Sequence, residues 1–274
     1  MFNQTFDPNY TSELAPVTVG RCSACQEKYN RAEMASHLEE CPKRKAEIAT
    51  GQAFAAQEQS GLPVKWYAGQ LFSLLVQARQ APQTYWMYVE VPGSTSLLKL
   101  DSFLRRVWLE CCGHLSQFEL GGKRYARYPD REYEDIREYA MSGVKLDKMV
   151  EVGTKFSYEY DYGSTTSLVL RVVSAGEGPI LGKRPEPLIM GRNERPPIVC
   201  EECCQVPATL VSAEGSFVSE NEDYYGRRWL CEKDAHRRKY QALEDYYLPV
   251  LNSPRTGRCG YDGMYTPGIK GWSK

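Results

Sequence analysis

Ten cysteines and three histidines are the residues of this chain best suited to chemistry, and their spacing points to metal ligation. The clearest set is Cys22-x2-Cys25-x11-His37-x3-Cys41. Two thiolates two residues apart suit a tight knuckle that bites one ion. His37 and Cys41 lie one helical turn apart, so a helix puts both on one face. Three sulfurs and one nitrogen complete a tetrahedral shell for Zn²⁺. No position is left open for a substrate, so the site reads as structural. Tyr29, Met34 and Leu38 can supply a miniature core, and a module this small needs the metal to fold.

A second knuckle, Cys200-x2-Cys203, pairs with Cys231 and His236 as the other half of a zinc ribbon with a looped-out hairpin from Val206 to Trp229. Two alternatives stay open at this point. Cys204 can replace Cys203, and Asp234 stands where a second Cys-x2-Cys knuckle would place the fourth ligand. The expectation is therefore two Zn²⁺ ions per chain, on Cys22, Cys25, His37 and Cys41, and on Cys200, Cys203, Cys231 and His236.

Catalytic candidates are few. With two histidines assigned to zinc, His114 alone is left for acid–base work. Its place just past a helix end also suits a capping role. Asp161 precedes Gly163 at a strand end, where turn-forming aspartates are common. Cys259 sits between Gly257 and Gly260, where a thiol can be exposed and reactive. Cys111-Cys112 lies on an apolar helix and reads as a pair of inert thiols. There is no Walker-type phosphate loop and no recombinase constellation.

The elements that must position these groups follow from hydrophobic patterning. Phe72, Leu74, Val76 and Ala78 alternate, as do Tyr85, Met87, Val89 and Val91, with a turn at Ala81-Pro82-Gln83. This reads as a hairpin. Leu104, Val107, Trp108, Cys111 and Leu115 at helical spacing, with Asp101 as N-cap and Gly113 as C′ residue, give the main helix. Gly121-Gly122 marks a second hairpin. Asp130 to Tyr139 reads as a loop or short helix. Lys155 to Tyr162 and Thr166 to Val173 read as two further strands. Strands, helix, strands argue for an α+β core: a largely antiparallel sheet packed on one main helix, flanked by two small zinc modules.

The expected division is a disordered lead (1–16), a zinc finger (17–48), a linker (49–62), the α+β core (63–174), a second linker (175–197), a zinc-ribbon-like module (198–263) and a tail (264–274). A formal net charge of -1 argues against a dominant polyanion-binding face, and clusters such as Arg237-Arg238-Lys239 read as solvated. No apolar run is long enough to span a membrane, and Met1 to Pro16 lacks a signal-peptide pattern. The expected location is the reducing cytoplasm, where cysteines serve as ligands or buried thiols.

The run Phe103-Leu104-Arg105-Arg106-Val107-Trp108-Leu109-Glu110-Cys111-Cys112-Gly113-His114-Leu115-Ser116-Gln117-Phe118 resembles the insertion-element passenger TnpR-like family, also called the plasmid ORF-3-like family. So does Phe156-Ser157-Tyr158-Glu159-Tyr160-Asp161-Tyr162-Gly163-Ser164. The terminal run Leu251 to Gly263 is similar to an element that accompanies that core in some members. The resemblance implies the α+β core and an association with mobile elements or host defence. It implies no defined activity. Ser164, Thr165, Thr166, Ser167 and Leu168 stand where many members carry an acidic residue and, a few positions on, Trp and His. The resulting expectation is a non-enzymatic binding or adaptor protein that recognises nucleic acid or a protein. The alternative is an enzyme acting on either, using His114 and Asp161, with Cys259 as a further catalytic candidate.

Overall fold

The computed structural model describes residues 16–57, 65–130, 137–182, 185–213, 227–237, 240 and 246–264. Most of the expected lead and tail, part of the first linker, part of the tyrosine-rich patch and the tip of the second-module hairpin lie outside these residues.

In chain order the elements are β1 (Val19–Cys22), β2 (Lys28–Asn30), α1 (Arg31–Glu40), α2 (Pro42–Ala56), β3 (Trp66–Ala78), β4 (Trp86–Pro92), α3 (Leu97–Leu104), β5 (Ser116–Leu120), β6 (Lys123–Ala126), β7 (Glu138–Ala140), β8 (Lys155–Tyr160), β9 (Thr166–Leu181), β10 (Leu188–Asn193), β11 (Leu210–Ser212), β12 (Trp229–Leu230), α4 (Glu232–Ala235) and β13 (Tyr247–Pro249). Ten strands form one sheet in the order β2-β1-β10-β4-β3-β9-β8-β5-β6-β7, antiparallel except for the β6–β7 pair. Three more form a small sheet, β12-β11-β13. The α+β class, with a mostly antiparallel sheet, is as expected.

The period-two patterns of β3 and β4 work as read. Phe72, Leu74, Val76 and Ala78 are buried, as are Tyr85, Met87, Val89 and Val91. These side chains meet Leu100, Leu104, Val107 and Trp108 in the main core. The opposite face of β4 is covered too. Trp86 and Tyr88 pack with Met190 against Met34 and Leu38 of α1. A sheet sandwiched this way loses its polar face, which is why Trp86 and Tyr88 alternate with apolar residues instead of charges.

Four expectations need correction. The main helix starts earlier. Ser96 is its N-cap, accepting from the Lys99 N–H at 3.3 Å. Asp101 is not a cap. It is buried inside α3, where it accepts from Ser116 Oγ at 2.6 Å and Tyr158 Oη at 2.8 Å and pairs with Arg127. The helix then widens into a π-turn over Arg105–Leu109 and ends there, before the cysteine pair.

The stretch 175–197 is not a linker over most of its length. β9 runs on to Leu181, paired with β3 as far as Trp66, and β10 follows. The stretch 49–62 begins as helix, because α2 continues to Ala56. Nor is the N-terminal module a separate bead. β1 pairs with β10, so the finger is an edge of the large sheet. The join is close: an added Cβ at Gly20 would lie 2.4 Å from the Arg192 carbonyl oxygen and from the Trp86 ring, and one at Gly191 2.8 Å from Met34 Sδ. Only glycine lets backbone and rings approach so far.

Candidate metal centres

The first centre is built by β1, β2 and α1. The chain reverses after Cys22 with Gln26 in the left-handed region (φ 68°), bringing the Cys25 thiol back toward Cys22. Asn30 and Glu33 form a reciprocal capping box, with bonds of 2.9 and 3.1 Å, which fixes where α1 begins. That start sets the phase placing His37 inward and Cys41 at the helix end. Cys22 Sγ is 3.9 Å from Cys41 Sγ, and Cys25 Sγ is 3.2 Å from His37 Nε2. All four ligand atoms lie within 4.8 Å of one another. A tetrahedral ion with Zn–S bonds of about 2.3 Å would hold sulfurs about 3.8 Å apart.

The electrostatics suit a cation. Burial pushes the Cys22 thiol up to about 11, so without metal this group keeps its proton at neutral pH. Cys41 moves the other way. Burial opposes ionisation, but the N–H groups of Arg44 and Lys43 at the start of α2 and the neighbouring sulfurs lower its pKa. Burial also lowers the His37 pKa, keeping the ring neutral and its lone pair available. The Tyr29 ring stacks on His37 at 4.0 Å and holds its orientation.

The second centre unites Cys200, Cys203, Cys231 and Asp234. Asp234 Oδ2 lies 3.2 Å from both Cys200 Sγ and Cys231 Sγ. The fourth place expected for His236 is therefore taken by Asp234. The reason is local: α4 begins at Glu232, and Asp234 repeats the x2 spacing of a knuckle, whereas His236 falls past the helix end. Arg237 Nη2 grips the other carboxylate oxygen at 2.8 Å, orienting it as an outer partner does around a metal ligand. Cys204 is exposed and its Sγ points to the Glu201 carbonyl at 3.6 Å, so it does not replace Cys203. Asp234→Ala should cost one bound metal equivalent while His236→Ala leaves the count unchanged, read by elemental analysis after gel filtration. The reverse pattern would restore His236 as the ligand.

A third grouping joins residues that the spacing alone does not connect. Cys111, Cys112, His114 and Cys259 also have ligand atoms within 4.8 Å of one another. His114 Nε2 is 2.9 Å from Cys112 Sγ, 3.0 Å from Cys259 Sγ and 3.4 Å from Asp161 Oδ2. His114 and Asp161, the pair used by the enzymatic alternative, are thus in contact, and Cys259 joins them. However, one ring nitrogen faces all three partners. A Cys–His–Asp relay needs the thiol on one nitrogen and the carboxylate on the other. The signal that was available is arithmetic: the first two centres take three cysteines each, and of the four left over, Cys111, Cys112 and Cys259 form the third group while Cys204 stands apart. The groove lined by Gln52, Ala55, Ala56, Ala68, Glu177, Gly178 and Pro179 contains none of these groups.

Residues 70–210 match the family model described as plasmid pRiA4b ORF-3-like protein. The match takes in Cys111, Cys112, His114, Asp161, Cys200 and Cys203, and leaves out the N-terminal centre, Cys231, Asp234 and Cys259. Among solved structures, a protein of unknown function from Methanosarcina mazei Go1 is 17% identical over 45% of this chain and 68% of that one, with a TM-score of 0.37. No match is found among curated proteins.

Proposed function

The chain belongs to the plasmid pRiA4b ORF-3-like family, and from that premise we propose that it is a zinc-binding, non-enzymatic adaptor whose metal-organised N-terminal edge recognises a protein partner. The observation that carries this reading is the first centre. It offers four ligands and no open position, and it anchors α1 with one face on the sheet and the other facing solvent. Thiolates joined by imidazole or carboxylate in a tetrahedral set favour zinc over harder cations. A cytoplasmic location agrees with ten free cysteines, and no described helix is long and apolar enough to cross a membrane. The link to mobile elements, including the insertion-element passenger label, rests on the family resemblance alone.

The charge of the exposed face favours protein over nucleic acid. Glu33, Glu39 and Glu40 are exposed on α1. On α2, Lys45 pairs with Glu40 at 2.7 Å and Arg44 pairs with Glu90. Over α1 and α2 the four acids Glu33, Glu39, Glu40 and Glu47 equal the four bases Arg31, Lys43, Arg44 and Lys45 in number, so this face carries no basic excess to hold a phosphate backbone. The enzymatic alternative has His114 and Asp161 in contact, but the shared ring nitrogen supports ligation over a proton relay.

Fluorescence anisotropy of the full-length, zinc-loaded protein on labelled duplex DNA and RNA tests the choice. The expected result between about 50 and 200 mM salt is no binding tighter than the generic range of roughly 10⁻⁴ to 10⁻⁶ M. The tagged protein isolated from its own cells should keep a stoichiometric protein partner after nuclease treatment. Tight, salt-steep nucleic-acid binding with no such partner would overturn the protein reading.

A further inference from the structure

We propose that Cys111, Cys112, His114 and Cys259 form a third zinc site, one that staples the 251–263 run to the end of the main helix. Neither half of the site is legible as a zinc motif alone. Two adjacent thiols and a histidine lie at the end of the π-turn, and the third thiol arrives from a glycine-bounded loop far along the chain.

The first half is pinned. Gly113, with φ 81°, turns the chain so that His114 folds back beside Cys112. Glu110 accepts from the Gly113 N–H at 2.7 Å, from Tyr160 Oη at 3.1 Å and from Arg105 Nε at 2.6 Å. The second half is pinned independently. Ser253 Oγ donates to the Trp108 carbonyl at 2.6 Å, and Arg258 Nη1 to the Thr165 carbonyl at 3.0 Å. Cys259 is held in the left-handed region with φ 43°, a conformation that disfavours any residue with a Cβ. That backbone aims its sulfur at His114.

The separations match those of the first centre. Cys111 Sγ is 3.7 Å and Cys259 Sγ 3.8 Å from Cys112 Sγ, against about 3.8 Å for a tetrahedral zinc edge. The imidazole nitrogen is closer to its sulfurs than a bound ion would set, as it also is at His37. A swing of about half an ångström would admit the ion. On binding, the thiol protons leave to solvent, and three thiolates around Zn²⁺ carry one net negative charge. Arg255 Nη2 lies 3.5 Å from Cys111 Sγ, placed to offset it. Unlike the other two centres, this one reaches the surface: Cys112 and Cys259 are both exposed.

The test uses the full chain, purified under reductant, reconstituted with excess Zn²⁺ and desalted. Elemental analysis should give one equivalent less in Cys259→Ser and in Cys112→Ser than in the unaltered protein, while Cys204→Ser loses none. The equivalent that those two variants lack should also be the first taken by a metallochromic chelator. An unchanged metal count in both variants overturns the proposal, as does a Cys112–Cys259 disulfide in protein so prepared. If the variants fail to fold, Co²⁺ titration of the unaltered protein decides. Thiolate charge-transfer absorbance saturating at three equivalents supports the site, and saturation at fewer overturns it.

Discussion

Cys41→Ser should remove one metal equivalent and in the same step expose Trp86 to water. Cys41 is fully buried, closes α1 and opens α2, so in the proposed zinc site its sulfur would be both ligand and hinge. Hydroxyl oxygen is a poor substitute for thiolate on zinc. Structural zinc in small fingers is worth about 10–16 kcal/mol, far more than the stub formed by Met34 and Leu38 can replace. Without the ion, α1 leaves the sheet, and the ring of Trp86 loses its cover. Its indole N–H bond to Thr18 Oγ1, 3.1 Å long, goes with it. The readouts are a red-shifted tryptophan emission, loss of near-ultraviolet dichroism and a lower melting temperature. Cys204→Ser, at an exposed position outside the three clusters, should change none of them. A Cys41→Ser protein with unshifted emission and an unchanged metal count would end the argument that zinc organises this edge.

The same coupling explains what the sequence disclosed and what it hid. Alternation in β3 and β4 is a local signal, enforced by side chains pointing to opposite faces, and it was legible. The grouping of Cys22, Cys25, His37 and Cys41 was legible for a similar reason, since a knuckle and one helical turn are short-range geometry. The start of α3 was not. Ser96 caps it without an acidic partner at the third helical position, and Asp101 looks like a cap because its true partners, Ser116, Tyr158 and Arg127, lie far along the chain. The stretch through Gly176, Gly178 and Pro179 has the composition of a linker, but pairing with β3 overrides it. Leu71 fills the space that a side chain at Gly178 would need. The third grouping was hidden because Cys259 meets His114 only through the tertiary fold.

Arg255→Met should lower stability by about 3–5 kcal/mol, the usual cost of leaving one partner of a buried ion pair alone. Arg255 is fully buried, and its guanidinium pairs with Asp161, donates to Thr166 Oγ1 at 3.2 Å and lies 5.0 Å from the centre of the Tyr160 ring. Asp161 is itself held in the left-handed region (φ 65°), where its Oδ1 accepts from the Gly163 and Ser164 N–H groups at 3.0 and 3.3 Å. Those bonds fix the carboxylate where it stands, so it cannot turn to solvent when the arginine is removed. Arg255→Lys should recover little, because a single ammonium cannot reach carboxylate, hydroxyl and ring at once as the planar fork does. Pairing Arg255→Met with Asp161→Asn should cost less than the sum of the two single changes, since the second removes the charge that the first strands. Denaturant titrations of the four proteins measure this coupling directly. Strict additivity would mean that the 251–263 run is held by its other contacts, such as Ser253 Oγ to the Trp108 carbonyl, with the ion pair a bystander.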